Sequence, residues 1–170
     1  MAIALASEAK QQRRMRPISL LAALIGTAAF AQSAPVLDAR TAQAIVAGCA
    51  AHSSAKHQSE AIVVVDTGGH VIASLLMDGN SSGIYDFAMA KAEAAAAWGF
   101  STVQMAKSAS ETPGFANAPH VVTVPGGVPV WSADGKVRIG AVGVSGEAPA
   151  DDAECAEAGV TAAGLRSTHS

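Results

Sequence analysis

The chain has 170 residues, half of them apolar, with 11 basic and 14 acidic side chains and a net charge of −3. That length accommodates one well-cored domain and is short for two. The acidic balance and the lack of a basic patch exclude nucleic acid and anionic membrane surfaces as expected partners.

The first 31 residues have the form of a secretory signal peptide. Lys10, Arg13, Arg14 and Arg16 precede an apolar run from Ile18 to Phe30, and Ala29-Phe30-Ala31 supplies a small-x-small cleavage site. The run is shorter than the roughly 18 to 20 apolar residues that a membrane span requires. Arg13-Arg14 hints at twin-arginine export, but Arg16 and Pro17 stand where that signal prefers apolar residues, which favours the general route. Met15 is a second possible start. Cleavage after Ala31 would leave a single domain, 32–170, with seven basic against 13 acidic residues and a net charge of −6. The expected compartment is periplasmic or extracellular.

Beyond Pro35, Asp38 is placed to cap a helix reaching to about Lys56, with Ala42, Ile45, Val46 and Cys49 on one stripe. Ile62 to Val65 and Val71 to Leu76 read as strands covered on both faces, joined by a hairpin at Thr67-Gly68-Gly69. Ile84 to Trp98 is alanine-rich and free of proline and glycine, so it reads as a helix. Ile84, Phe87, Ala88, Ala95 and Trp98 form its inward stripe, and Lys91 lies on that stripe. A lysine there needs a carboxylate or a route to water; Asp78 and Asp66 are the expected partners. Ser101 to Ser110 suggests a short helix before an irregular loop, Thr112 to Pro119.

The stretch PGGVPVWSADGKVRIGAVGVSG, residues 125–146, carries two glycine turns. Pro125-Gly126-Gly127 is expected to join a strand at Val121 to Val124 with one at Val128 to Trp131, and Asp134-Gly135 to turn that strand into Val137 to Val144. Gly140 and Gly143 lie inside the last strand, where either a helix or a ligand must approach the backbone closely. The final helix is expected from Asp151, whose D-x-x-E spacing with Glu154 resembles a capping box. The acids Glu147, Asp151, Asp152 and Glu154 read as structural, with an iron cluster as the alternative. Cys49 and Cys155 fall on the first and last helices; they are either a disulfide of an exported protein or two small buried residues.

This order of elements gives an α+β fold: an antiparallel five-stranded sheet with helices on both faces. GAVGVSG lacks dinucleotide spacing, no G-x-S-x-G elbow activates Ser145, and no Cys/His spacing suggests zinc. The candidate ligand-binding residues are Asp66, His70, Asp78, Lys91, His120, Gly126, Gly127 and Ser145, at strand ends and turns. Each has a plainer reading, as a turn hydrogen bond, a cap or a structural ion pair.

VVVDTGGHVIASLLMDG, the lysine of AKAEAAAA, GGVPV, IGAVGVSG and DDAECAEAG together resemble the GlcG/HbpS family in order and spacing, over about residues 37–165. The resemblance implies a three-layer, profilin-like α/β/α domain that binds haem, with haem degradation as a further possibility. The chain departs from the family pattern at Leu76, Glu93 and Ala94, where arginine, arginine and threonine are common. Ala94 offers no oxygen to an iron, so the metal ligand would have to be His120, or His70 after it. Two functions follow. One is an exported haem or small-ligand binding protein, homo-oligomeric through its Ala- and Gly-rich helical faces. The other is an enzyme on a small oxyacid or carbonyl compound, with Lys91 or His120 as acid/base and the Gly126-Gly127 amides holding an anion.

Overall fold

The structure is a computed structural model that describes residues 35–170; the expected signal peptide lies outside them. Helix α1 (Ala39–Ala55) begins where expected, with the Asp38 side chain accepting from the Thr41 amide at 2.7 Å. Strands β1 (Ala61–Val65) and β2 (Val71–Leu76) follow, then helices α2 (Ser82–Trp98) and α3 (Thr102–Glu111). A 3-10 turn at Phe115–Asn117, strands β3 (Gly127–Trp131) and β4 (Arg138–Ser145), and helix α4 (Pro149–Ala162) complete the order. Ser101 and Gln104 close α3 with a reciprocal capping box, and Gly99 ends α2 in the left-handed conformation.

Among the described residues the sheet has four antiparallel strands in the order β2-β1-β4-β3, not five. Val121 to Val124 forms no strand and pairs with none. Pro125 and Pro129 each lack an amide hydrogen, which removes donors from any ladder between that run and β3. The connection between β3 and β4 also differs from a two-residue turn. It runs from Ser132 to Val137, with the Asp134 carboxylate accepting from the Ser132 hydroxyl and the Lys136 amide and only Gly135 at positive φ.

Alternation along the central strands divides the core in two. Ile62, Val64, Val128, Val130, Val142 and Val144 meet Ile45, Cys49, Cys155 and Val160 of α1 and α4. Ala61, Val63, Val65 and Ala141 meet Ala88, Ala92, Ala95 and Ala96 of α2. Each fully buried valine contributes about 1.5–3 kcal/mol. The alanines make a different contribution: they let the α2 backbone approach the sheet. A Cβ on Gly143 would collide with the Ala88 carbonyl and the Ala92 amide, so it is the helix, not a ligand, that requires a glycine there. Across the sheet, Gly48 and Gly159 allow α1 and α4 to touch, and Cys49 and Cys155 are joined by a disulfide beside that contact.

Three local expectations are corrected. β2 is an edge strand, not a strand covered on both faces: Val71, Leu75 and Leu76 are 42%, 37% and 43% exposed. Phe87 and Trp98 lie at the solvent boundary rather than in the core, because the inward face of α2 is taken by alanines and Lys91. α4 begins two residues before Asp151, with Pro149 in its first turn and Ala148 at the cap, so Asp152 is free for another partner.

Candidate functional site

Apart from Asp78, the predicted site residues separate into two groups at opposite ends of β1, about 13 Å apart along the strand. The first surrounds Lys91. Its side chain is completely buried, and its ammonium donates to Asp152 Oδ2 at 2.7 Å and to the Val144 carbonyl at 2.9 Å, with the Phe87 ring centroid at 4.7 Å. The partner is therefore Asp152 of α4, not Asp78 or Asp66. Burial pushes the Asp152 carboxyl upward, while Lys91 and the Glu147 amide, which donates to it at 3.0 Å, pull it back.

Gly126 belongs to this cluster for a steric reason. A Cβ there would lie 2.8 Å from the Lys91 amine and 3.0 Å from Asp152 Cβ, and its φ of 126° is costly for any other residue. The Gly127 amide donates to Thr102 Oγ1 at 3.0 Å. It is not available to an anion, which removes the expected anion-holding role. Ser145 is buried at the end of β4, paired in register with Ala61. This group is sealed: it ties helices to the sheet and offers no reacting surface. Asp78 stands apart, exposed, with its backbone carbonyl accepting from the Ser59 hydroxyl.

The second group is open to solvent. The β1–β2 turn is shaped by Asp66, whose Oδ1 accepts from the amides of Gly68 at 2.8 Å and His70 at 2.9 Å. The His70 amide, with the other turn donors, holds the Asp66 carboxyl below the usual carboxylate range. His70 is 82% exposed, and its Nδ1 lies 3.1 Å from Asp66 Oδ2, so its ring serves the turn. Thr67, Gly68 and Gly69 of the same turn line a cleft of about 280 Å³ together with Glu93, Ala96 and Ala97 of α2 and with His120. Asp66 instead lines a second cleft, of about 300 Å³, that contains Arg138.

His120 does not start a strand. It sits in the loop before β3 in the left-handed region, at φ 57°. That conformation costs a side-chain-bearing residue about 1–2 kcal/mol, and the surroundings must hold it. Trp98 does so: its indole Nε1 donates to the Pro119 carbonyl at 3.0 Å. Its ring makes edge contacts with Phe115 at 5.1 Å and Phe100 at 6.0 Å, which pack the loop onto the end of α2.

Sequence reasoning placed Lys91, the two glycines and His120 among the site residues but missed Glu93, Ala96, Ala97 and Trp98. The signal for Glu93 is the position of α2 over the two-glycine turn, which only the sheet order reveals. The acids Glu147, Asp151, Asp152 and Glu154 do not converge on a metal position. Glu147 accepts from the Ser59 amide, Asp152 holds Lys91, and Asp151 and Glu154 pair with Lys56.

The chain matches the family model described as haem degrading protein HbpS-like over residues 37–161. Its fold is similar to that of a double mutant of HbpS from Streptomyces reticuli, with a TM-score of 0.69 at 22% identity over 91% of this chain and 97% of that one. It is also similar to a structure described as a PduOC:haem complex, with a TM-score of 0.72 at 20% identity over 79% of this chain and 100% of that one. The Klebsiella pneumoniae protein ORFY gives a TM-score of 0.70 at 22% identity, covering 79% and 94%. No curated protein matches the sequence.

Proposed function

The chain belongs to the HbpS-like family of haem degrading proteins, and from that premise we propose that it binds haem, or a small ligand of similar character, at the His120 cleft. The observation that carries this reading is the cleft itself: one imidazole, held in a strained backbone conformation, beside a wall with no side chain larger than alanine apart from Glu93 and Thr67. These residues fit one side of a porphyrin site. His120 would supply a neutral nitrogen to the iron, and Gly68, Gly69, Ala96 and Ala97 would lie against a ring face. The Glu93 carboxylate disfavours propionates inside the cleft and orients them to solvent. Bound haem would supply the redox-active iron that haem degradation requires.

His70, committed to Asp66, ranks second as a ligand. Lys91 has no part in an acid/base reaction here, since its amine is sealed and already paired. The helix–sheet–helix stacking is read as the three-layer, profilin-like arrangement of the family. Titration of haem into the purified protein tests the reading: a shifted and sharpened Soret band that saturates at about one haem per chain is expected. A spectrum equal to that of free haem at every protein concentration would overturn it.

The protein is further proposed to be exported, with cleavage after Ala31 and residence in the periplasm or outside the cell; the basic and apolar order of residues 10–31 supports this. Mass spectrometry of the exported protein should find Gln32 at its N-terminus, and retention of residues 16–31 would contradict export. The chain is also proposed to form homo-oligomers. The Ala- and Gly-rich helical faces are spent inside the fold, and the exposed apolar edge of β2 is the surface that supports assembly. Light scattering that shows a monomer at micromolar concentration would remove this part.

A further inference from the structure

We propose that the reduced protein carries a site for a thiophilic divalent metal ion, zinc being the best match, formed by Cys49, Cys155 and Glu60 and supported by Ser53. All four side chains are completely buried between α1, α4 and the segment entering β1. The two sulfurs and a Glu60 oxygen lie within 4.8 Å of one another, a separation a single ion can span. Ser53, one helical turn beyond Cys49, donates its hydroxyl to Glu60 Oε2 and lies 3.0 Å from Cys155 Sγ.

The pointer to a ligand is the second carboxylate oxygen. Glu60 Oε1 is buried and has no hydrogen-bond partner, although the side chain sits against the disulfide. An orphaned carboxylate oxygen costs free energy, and no hydrogen-bond donor in the oxidised core offsets that cost. A cation beside it would.

The disulfide controls the site in two ways. While it is intact, neither sulfur is a thiolate, and the bond fastens α1 to α4 with no room for an ion between the two sulfurs. Reduction by a phosphine balances as disulfide plus phosphine plus water giving two thiols and phosphine oxide. Metal entry then replaces the two thiol protons, which pass to the buffer, and two thiolates with one carboxylate hold the ion. Ser53 Oγ or a water completes a tetrahedron.

The test uses the whole protein reduced with a phosphine and titrated with cobalt(II), whose thiolate charge-transfer absorption reports sulfur ligation, followed by zinc. The reduced protein should bind about one cobalt per chain with that absorption, zinc should displace it, and the oxidised protein should show none. Glu60→Gln, which keeps both thiols and the Ser53 contact, should weaken binding by about tenfold or more. Circular dichroism is followed in parallel: a reduced chain that is folded, or that refolds on adding metal, supports the site. Overturning results are no charge-transfer absorption in the reduced protein, absorption unchanged in strength and affinity in Glu60→Gln, or a reduced chain that stays unfolded with metal present.

Discussion

The Lys91 ammonium and the Asp152 carboxylate meet at 2.7 Å with both side chains out of water, joining α2 to α4 past the end of β4. A charge pair in this position is well hydrogen-bonded, since Val144 accepts from the lysine and the Glu147 amide donates to the aspartate. Removing one member leaves the other buried and uncompensated. Lys91→Met should therefore cost about 3–5 kcal/mol in urea unfolding, and the double variant Lys91→Met, Asp152→Leu should recover most of that loss. Equal destabilisation in the single and double variants would show that the pair is not what holds the two helices.

A second prediction concerns the contact that brings α2 onto the sheet. Gly143→Ala places a methyl group against the Ala88 carbonyl and the Ala92 backbone, which are helix backbone atoms and cannot move aside cheaply. We expect a loss of about 3 kcal/mol, read as a lower denaturation midpoint with an unchanged slope. A loss under about 0.5 kcal/mol would mean that α2 rides farther from β4.

Some of this was legible from residue types alone. Asp38, the two-glycine turn after β1 and the buried position of Lys91 all follow from local spacing, because capping, turn chemistry and helical periodicity act over a few residues. The partner of Lys91 was not legible. Asp152 lies 61 positions away on a helix that begins two residues before its expected start, and no spacing rule encodes that meeting. The fifth strand failed for a related reason: the valines at 121, 122 and 124 suit a strand, but the flanking prolines deny them a ladder. Glu60 passed unnoticed because a glutamate at a strand entrance is ordinarily solvated.

That glutamate gives the third prediction, for the oxidised protein with a chelator present. Burial, with a further push from Asp152, Glu147 and Asp151, raises the Glu60 carboxyl from 4.5 to about 7, against the opposing pull of the Ser53 hydroxyl. The folded state thus binds the proton more tightly than the unfolded state does. Stability should be highest with Glu60 neutral, fall as pH rises from about 4.5 to about 7, and level off above; the whole change is at most about 3 kcal/mol. Asp152, also raised, adds a change of the same sign. Glu60→Gln should flatten most of the slope in unfolding measured from pH 5 to 8. A variant as pH-dependent as the parent would assign the slope elsewhere.

The loop that carries His120 depends on Trp98, which gives a fourth prediction. Trp98→Phe keeps the aromatic contacts and removes only the indole hydrogen bond to Pro119, worth about 1 kcal/mol. Haem affinity should fall by about fivefold while the unfolding midpoint changes little, because the cost falls on an exposed loop. Unchanged affinity would mean that the left-handed conformation at His120 is held without the tryptophan.

The most direct test of the haem reading compares two histidine variants under one titration. His120→Ala should abolish the Soret shift and leave the far-ultraviolet circular dichroism unchanged, since its side chain lies in a solvent-exposed loop at the cleft. His70→Ala should keep the shift, with only the turn loosened. A shift retained in His120→Ala and lost in His70→Ala would contradict the assignment of the cleft.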